Sequence, residues 1–404
     1  MSQILTREYL ESLDAQDQLA PFRDAFQLPG SGQYFNGNSL GPRPKSTREA
    51  MKQVMEAHWG CHGGASWYGQ DWMQRPARVG GKIAHLIGAA ADEIIIADST
   101  SINLAKMVMT ALDIQAGRHV IVTEEGNFPT DLYILKDIAA RVSGVEIRIV
   151  ATEDLADALD DGCALLALTH VNYKTSRQHD MAALTKKAHE VGALALWDLS
   201  HSAGAVHVDL NASQADFAVG CTYKFLNGGP GAPAYLFVAK RHQNGAPALP
   251  GWMGHAAPFD FSPNFIPAEG MTRHLTGTPP ILALAALECG VDLMVEAGVG
   301  AVVEKSARLG DVTIELVEQK LSDTDIEVLS PRHTAQRGAQ ICLKTVQASA
   351  LVGRLENRGL IVDFRPPNII RLGLAALYVR YQDIWDVVDA LGEEYKALRR
   401  VEQA

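Results

Sequence analysis

Phe217-Ala-Val-Gly-Cys-Thr-Tyr-Lys-Phe-Leu-Asn-Gly-Gly-Pro-Gly231 is a short apolar strand followed by a lysine and a glycine-rich loop. Parallel sheets bind ligands at the carboxyl ends of their strands, which is where Lys224 lies. In a dry pocket, burial lowers the pKa of a lysine and makes its amine a nucleophile. The alternative is a solvated lysine at the end of a strand, and position alone leaves both interpretations open.

On both sides of this stretch, helical patterns alternate with short apolar runs. Continuous apolar strands that are separated by helices indicate a mostly parallel sheet with both faces covered. The sequence therefore predicts an α/β fold with a seven-stranded sheet, whose strands span residues 93–97, 119–123, 145–150, 164–169, 193–198, 217–220 and 234–238.

The length of 404 residues exceeds that of a usual single core, so we expect one large and one smaller domain. Residues 1–60 are expected to form an N-terminal arm and part of the small domain. The large domain is expected to span residues 61–280, and a small α+β domain residues 281–404. A helix is predicted from about residue 46 to 59, and residues 60–75 are expected to be irregular.

Asp198 ends the predicted strand 193–198, and His201 follows it by three residues. A carboxylate at this position can pair with a protonated ring nitrogen of a cofactor and make the ring a better electron sink. Aspartate is also common as a helix N-cap, which is the alternative for Asp198. His201 is suited to stacking on a ring, or it is a packed histidine in the first turn of a helix.

Two further segments place polar or aromatic residues after predicted strands. In Asp98-Ser-Thr-Ser-Ile-Asn, Thr100 and Ser101 can offer donors to a phosphate at a helix N-terminus, although an ordinary capped helix has the same pattern. In Glu125-Gly-Asn-Phe-Pro-Thr-Asp131, Phe128 can face a flat ring, although the segment also fits a proline turn. Asp131 by itself is a turn-forming residue.

Composition excludes several classes of partner. With 36 Lys and Arg residues against 47 Asp and Glu residues, the net charge of −11 argues against nucleic acid or an anionic membrane surface as the main partner. No apolar run approaches the roughly 20 residues that span a bilayer. The five cysteines are scattered and do not indicate a disulfide framework, and the N-terminal residues lack a signal pattern. We therefore expect a cytoplasmic protein.

Taken together and in order, the motifs resemble those of kynureninase, a family of fold-type-I pyridoxal 5′-phosphate (PLP) enzymes in the aspartate aminotransferase superfamily. The resemblance runs over nearly the whole chain and implies the fold-type-I architecture of a large domain and a smaller C-terminal domain. The segments that carry it are Asn-Ser-Leu-Gly at 38–41, Phe-Pro-Thr-Asp at 128–131, Asp-Leu-Ser-His at 198–201, Tyr-Lys-Phe-Leu-Asn at 223–227, Gly-Trp-Met-Gly-His at 251–255 and Gly-Thr-Pro-Pro-Ile at 277–281.

The resemblance implies a role for each matching residue. Lys224 would form the Schiff base with PLP, Asp198 would pair with the pyridine nitrogen, and Tyr223 would act as an acid. The cofactor would be held by Thr100, Ser101, Phe128, Asp131, Thr169, Asp198, His201, Tyr223 and Lys224, joined by Trp252 and Thr278 from the neighbouring subunit of a homodimer. The substrate would lie against Ser39, Trp67 and Arg371, with Arg371 gripping its carboxylate.

The activity that the resemblance implies is hydrolysis of a carbon–carbon bond in tryptophan degradation. L-Kynurenine would give anthranilate and L-alanine, and 3-hydroxykynurenine would give 3-hydroxyanthranilate. The freed Lys224 would remove the α-proton of the substrate. General acid–base assistance of this kind contributes about 10²- to 10⁴-fold to the rate.

The nearest alternative is another fold-type-I enzyme, such as a cysteine desulfurase or an aminotransferase. A desulfurase needs a reactive cysteine on a mobile loop. Cys342 falls in a predicted buried strand and Cys289 in an apolar helix, where cysteines are usually inert.

Two other classes are weaker alternatives. In a metal-dependent hydrolase, His58, Cys61 and His62 could present ligands on one helix face. Glycines around them argue against a regular helix, so no metal is expected. A binding module without catalysis conflicts with the presence of Lys224 and Asp198 together with Arg371.

Overall fold

The computed structural model describes residues 4–30 and 32–402. Its strands in chain order are β1 Phe26–Gln27, β2 Gln33–Tyr34, β3 Arg43–Pro44, β4 Ile94–Ile96, β5 Val120–Glu124, β6 Glu146–Val150, β7 Cys163–Thr169, β8 Leu194–Asp198, β9 Phe217–Gly220, β10 Tyr235–Val238, β11 Glu327–Val328, β12 Gln340–Lys344, β13 Leu360–Ile361, β14 Asp363–Arg365 and β15 Ile369–Gly373.

The α-helices cover the sheets formed by these strands. In chain order they are α1 Arg7–Ala15, α2 Thr47–Gln53, α3 Gly60–His62, α4 Ser66–Gly69, α5 Arg75–Ala84, α6 Thr100–Ile114, α7 Pro129–Arg141, α8 Met181–Glu190, α9 Ile281–Ala297, α10 Val299–Lys320, α11 Ala348–Asn357 and α12 Tyr381–Glu402. No described helix is both long enough and apolar enough to cross a membrane.

The main sheet has seven strands in the order β4-β10-β9-β8-β7-β5-β6. β10 is antiparallel to both of its neighbours, and the other paired strands are parallel. The prediction of a mostly parallel seven-stranded sheet is therefore confirmed. β4, β5, β7, β8 and β9 run in the same direction, so the residues that follow them lie at one edge of the sheet. This carboxyl edge is where parallel sheets bind ligands.

The strand sequences are continuously apolar because both faces of the sheet are buried. In β7, Leu165 and Ala167 pack into one core and Leu166 and Leu168 into the other. This division follows from the period of two in an extended strand. The core on one face is closed by α6 and α7, through residues such as Met107.

A second, four-stranded sheet has the order β11-β12-β15-β14 and belongs to the C-terminal part of the chain. In it, Asp363 of β14 lies opposite Arg371 of β15. The N-terminal segment is joined to this part of the chain through the parallel pair of β2 and β13. The chain near residue 38 is thereby carried towards the carboxyl edge of the large sheet.

The region around residue 60 is helical, but its helix type changes. The predicted helix over 46–59 consists of α2 followed by a π-helix, Val54–Trp59. α3 and α4 follow as very short helices, separated by a 3₁₀ turn. The glycines thus interrupt the helix after His62 rather than before it.

Asp216, at the amino end of β9, stabilises the edge of the sheet opposite the predicted site. It accepts hydrogen bonds of 2.7 Å from His189, His242 and Arg241, and one of 2.8 Å from the N–H of Ala195. Burial raises the pKa of Asp216, but these hydrogen bonds outweigh burial and lower the pKa below its usual value.

Because the folded-state pKa is lowered, the stabilisation by Asp216 is present above the unfolded pKa of about 3.9 and is lost as the pH falls below it. We expect Asp216→Asn to lower the free energy of unfolding by about 2–3 kcal/mol at pH 7, measured by urea unfolding. The control Asp389→Asn removes an exposed partner of Lys320 and should cost less than about 1 kcal/mol. A deficit for Asp216→Asn that does not shrink below pH 4 would contradict this account.

Candidate active site

Lys224 lies just beyond the carboxyl end of β9, and its amine faces a histidine. Its Nζ is 3.0 Å from Nε2 of His201. Burial, and then the positive charges of Lys224, Arg371 and Arg365, lower the pKa of His201 well below its usual value, so this imidazole is neutral. Its Nδ1 is buried and has no hydrogen-bond partner among the described residues. The site therefore contains a polar atom whose partner the protein chain does not supply.

Two buried carboxyl groups face the same pocket. Oδ1 of Asp198 accepts a 2.7 Å hydrogen bond from the N–H of Ser200, at the end of β8. Burial raises the pKa of Asp198. Burial, and then the charge of Asp198, raise the pKa of Asp131 well above its usual value. We therefore place the shared proton on Asp131, which leaves Asp198 as the charged group that can pair with a cationic ring nitrogen.

Another part of the same pocket is suited to a phosphate. Thr100 and Ser101 begin α6, a helix of 15 residues, and Ser99 caps it by accepting a hydrogen bond from the N–H of Ile102. A helix N-terminus carries partial positive charge and offers free N–H groups. Tyr223, next to the lysine, lines the same pocket. Burial raises the pKa of Tyr223, so its hydroxyl keeps its proton.

An aromatic ring and a hydroxyl also line this pocket. Phe128 precedes α7 and is 38% exposed, and its ring meets that of Tyr173 edge-on at 5.2 Å. Thr169, at the end of β7, donates a hydrogen bond to Asn127 and lies 3.5 Å from Oδ2 of Asp131. A flat ligand therefore has an exposed aromatic face available beside the buried polar groups.

The N-terminal loop and the small sheet meet beside the pocket, at Arg371. Arg371 is only 1% exposed, and its Nε donates a 2.5 Å hydrogen bond to Asp363. Its Nη1 donates to the carbonyl oxygen of Tyr173 at 2.8 Å, and its Nη2 to Oγ of Ser39 at 3.0 Å. The loop is fixed against the lysine, because the N–H of Gly41 donates a 2.7 Å hydrogen bond to the carbonyl oxygen of Tyr223.

A side chain at Gly41 would collide with the lysine segment. A Cβ built at this position lies 2.4 Å from both the carbonyl oxygen of Lys224 and the side-chain oxygen of Asn227. The glycine of the Asn-Ser-Leu-Gly motif is therefore needed for the close approach of two backbone segments.

The structure brings together in one pocket all the cofactor residues that the sequence assigned to a single chain. The pocket is lined by Thr100, Ser101, Phe128, Thr130, Asp131, Thr169, Tyr173, Asp198, Ser200, His201, Tyr223 and Lys224. Four residues of the site were not predicted from the sequence: Asn127, Tyr173, Asp363 and Arg365. Asn127 stands directly before Phe128 in the quoted motif, whereas the other three are recognised only through contacts between distant segments.

Five predicted residues do not line this pocket: Ser39 and Arg371, which border it through the contact of Arg371 with Tyr173, and Trp67, Trp252 and Thr278. Trp67 packs edge-on against Trp72, with ring centroids 5.3 Å apart. Trp252 is 39% exposed and stacks on Phe261 at 6.2 Å, and Thr278 is exposed. The roles predicted for Trp67, Trp252 and Thr278 thus have no support from contacts within this chain.

Neither Cys342 nor the predicted histidine cluster has the surroundings that the alternative chemistries need. Burial raises the pKa of Cys342 to about 11, which opposes thiolate formation. His58 is buried, and its Nδ1 accepts a hydrogen bond of 3.3 Å from Trp72. Within residues 4–30 and 32–402, no group of three or more His, Cys, Asp or Glu side chains is arranged to hold a metal ion.

The donor set fits PLP. An amine can bond to its aldehyde, a buried carboxylate can pair with its ring nitrogen, and a helix N-terminus with hydroxyls can bind its phosphate. The unpartnered Nδ1 of His201 is consistent with a polar ligand in the pocket.

Comparisons with known proteins agree with this arrangement. The family model described as "Kynureninase C-terminal domain" matches residues 302–391. A kynureninase of Pseudomonas fluorescens is 44% identical over 395 residues, which cover 96% of this chain and 95% of the relative. A kynureninase of Burkholderia mallei (strain SAVP1) is 45% identical over 393 residues, covering 96% of this chain and 94% of the relative.

Solved structures show the same fold at lower identity. The apo cysteine desulfurase of Thermococcus onnurineus NA1 has a TM-score of 0.76 at 19% identity, covering 98% of this chain and 100% of that chain. A C-DES mutant with glycine covalently linked to the PLP cofactor has a TM-score of 0.79 at 17% identity, covering 96% of this chain and 100% of that chain. These neighbours establish the fold-type-I architecture.

Proposed function

The chain belongs to the kynureninase family, and from that premise we propose that it is a PLP-dependent hydrolase that cleaves L-kynurenine to anthranilate and L-alanine in tryptophan degradation. The observation that carries the assignment of residues is the 3.0 Å contact of the Lys224 amine with a neutral His201 in a pocket that also contains Asp198. This pocket supplies both a nucleophilic amine and a buried negative charge.

When bound, PLP supplies an aldehyde that bonds to amines and a protonated ring that withdraws electrons from the α-carbon of the substrate. Lys224 would hold the cofactor at rest and would carry the α-proton during the reaction. Asp198 would keep the ring nitrogen protonated, while Phe128 would cover the ring. Thr100 and Ser101 would bind the phosphate at the N-terminus of α6.

The other residues position the substrate and handle a second proton. Arg371 would bind the α-carboxylate through its guanidinium group. Ser39 holds that guanidinium in place by accepting its 3.0 Å hydrogen bond. The Tyr223 hydroxyl keeps its proton at neutral pH because burial raises its pKa, so it can donate that proton to the product carbon.

The direct test is incubation of the PLP-loaded protein with L-kynurenine while anthranilate fluorescence and alanine are both measured. We expect equal amounts of anthranilate and alanine. A parallel incubation with L-cysteine tests the desulfurase alternative, and a third with 3-hydroxykynurenine compares the two ring types. Alanine from cysteine with no anthranilate from kynurenine would contradict the proposal.

We also propose a homodimer in which Trp252 and Thr278 complete the cofactor site of the neighbouring subunit. An exposed aromatic patch supports this proposal. Phe261, 75% exposed, stacks on Trp252, and Tyr68, 72% exposed, contacts Phe259, whose ring meets Trp252 edge-on. Contiguous exposed apolar surface of this kind is typical of interaction sites.

We also propose a cytoplasmic location. All five cysteines are free, which is the state that the reducing cytosol favours.

Mixing two defective variants tests the shared site. Lys224→Ala and Trp252→Ala are each expected to have little activity. If the sites are shared, heterodimers of the two contain one intact site, so a refolded equal mixture should regain roughly a quarter of the wild-type activity. A mixture no more active than the average of its two components would contradict the shared site.

A further inference from the structure

Two arginines converge on the hydroxyl group of Ser39. Nη2 of Arg371 lies 3.0 Å from this Oγ, and Nη2 of Arg365 lies 2.8 Å from it. The same Oγ is 3.3 Å from Oδ2 of Asp363. A serine hydroxyl accepts two hydrogen bonds and donates one, so the two guanidinium groups and the carboxylate use all of its capacity.

The charges in this cluster do not balance. Arg371 is paired with Asp363 through its Nε and Nη2, and its Nη1 donates to the carbonyl oxygen of Tyr173. Arg365 reaches the same Asp363 oxygen only at 3.3 Å. Two guanidinium groups therefore share one carboxylate, which leaves one positive charge without a close partner of its own.

The two arginines differ in their access to solvent. The side chain of Arg371 is 1% exposed and that of Arg365 is 35% exposed. Among residues 4–30 and 32–402, Arg365 makes only one further hydrogen bond, a 3.3 Å contact from its Nη1 to the carbonyl oxygen of Phe364. The N–H groups of Arg365 can therefore turn towards an incoming anion with the loss of few hydrogen bonds. Most N–H groups of Arg371 already donate hydrogen bonds within the protein.

The cluster lies beside the cofactor pocket. Tyr173, whose carbonyl oxygen binds Arg371, lines that pocket together with Lys224. The positive charges of both Arg371 and Arg365 also act on the buried His201. A carboxylate held by these arginines would thus belong to a ligand whose other end reaches the lysine.

We propose that Arg365 is a second carboxylate-binding residue, which supplies the net positive charge of the site while Arg371, neutralised by Asp363, supplies orientation. With the carboxylate bound, two cations, Arg371 and Arg365, would be balanced by two anions, Asp363 and the ligand carboxylate. This inference rests on the proposed function, from which we take the ligand to be an α-amino acid. It extends that function by assigning recognition of the carboxylate to a pair of arginines.

The test compares ligands with and without the carboxylate. L-Alanine and L-alaninamide are titrated into PLP-loaded protein, and their binding is followed by the change in the visible absorbance of the cofactor. For Arg365→Gln we expect the dissociation constant of L-alanine to rise on the order of 10- to 100-fold, as for the loss of a hydrogen bond between charged groups. That of L-alaninamide should change much less, because it carries no carboxylate charge.

Two further variants separate recognition from folding. Arg365→Lys keeps the charge and should recover part of the lost affinity for L-alanine. Arg332→Gln removes an exposed arginine that is paired with Glu318, and it should leave both affinities unchanged. The proposal is wrong if Arg365→Gln leaves L-alanine binding unchanged, or if it weakens the acid and the amide equally.

The result does not depend on turnover of kynurenine. If the wild-type protein binds L-alanine but does not cleave kynurenine, the proposed activity fails while the assignment of Arg365 can still hold. If the protein does cleave kynurenine, Arg365→Gln should raise KM by a similar factor with little change in kcat, since the carboxylate stays bound and keeps its charge before and during the reaction.

Discussion

Replacing Lys224 with alanine is expected to abolish the visible absorbance band of the bound cofactor and to lower kcat/KM by at least about 10²- to 10⁴-fold. The variant loses the amine that faces His201 at 3.0 Å, and with it both the covalent attachment and the group that moves the α-proton. Absorbance spectra and anthranilate production measure the two losses separately. Added methylamine should restore part of the turnover, because it replaces the missing base.

A matched control distinguishes this effect from a general loss of positive charge. Lys344 is half exposed and is paired with Glu327 at 3.6 Å, on the small sheet. Lys344→Ala should keep the spectrum and the activity of the unmodified protein. Turnover by Lys224→Ala at the wild-type rate would remove the basis of the proposed mechanism.

Asp198→Asn is the second substitution with a large expected effect. Asparagine has the same shape and can still accept the hydrogen bond from the N–H of Ser200, so the fold should be preserved. It lacks the negative charge that would hold a proton on the ring nitrogen of the cofactor, and the ring then withdraws electrons poorly. We expect kcat to fall by about 10²- to 10⁴-fold while the cofactor remains bound.

Asp131→Asn is the natural comparison for this substitution. Burial and the charge of Asp198 raise the pKa of Asp131 well above its usual value, so we expect Asp131 to be the member of the pair that holds the proton. An asparagine at this position resembles that protonated form, and the loss of activity should be much smaller than for Asp198→Asn. Equal losses in both variants, measured as kcat at saturating substrate, would contradict the different charges assigned to the two groups.

The large sheet could be predicted from the sequence because its strands are short, continuously apolar and bounded by turn-forming residues. The prediction for β9 has the observed bounds, Phe217–Gly220, and that for β8 differs by one residue. The polar residues after these strands could be predicted too, since parallel strands place their carboxyl ends at one edge. The region after Val54 was less predictable, because a π-helix has no clear sequence pattern.

The contacts between distant segments could not be predicted in the same way. Asp363 meets Arg371 through the register of β14 and β15, and both meet Ser39 through the packing of an N-terminal loop. Neither the register nor the packing leaves a local signal, so Asp363 and Arg365 went unrecognised as parts of the site. The resemblance to a family identified Arg371, but only the structure gives its partners.

The most direct test of the central claim is reduction of the PLP-loaded protein with borohydride, followed by mass spectrometry of its peptides. The reduction fixes the cofactor on whichever amine holds it. We expect the added mass on Lys224, in the peptide that contains Cys221-Thr-Tyr-Lys-Phe-Leu-Asn. A label on any other lysine, or no label on a protein that still cleaves kynurenine, would contradict it.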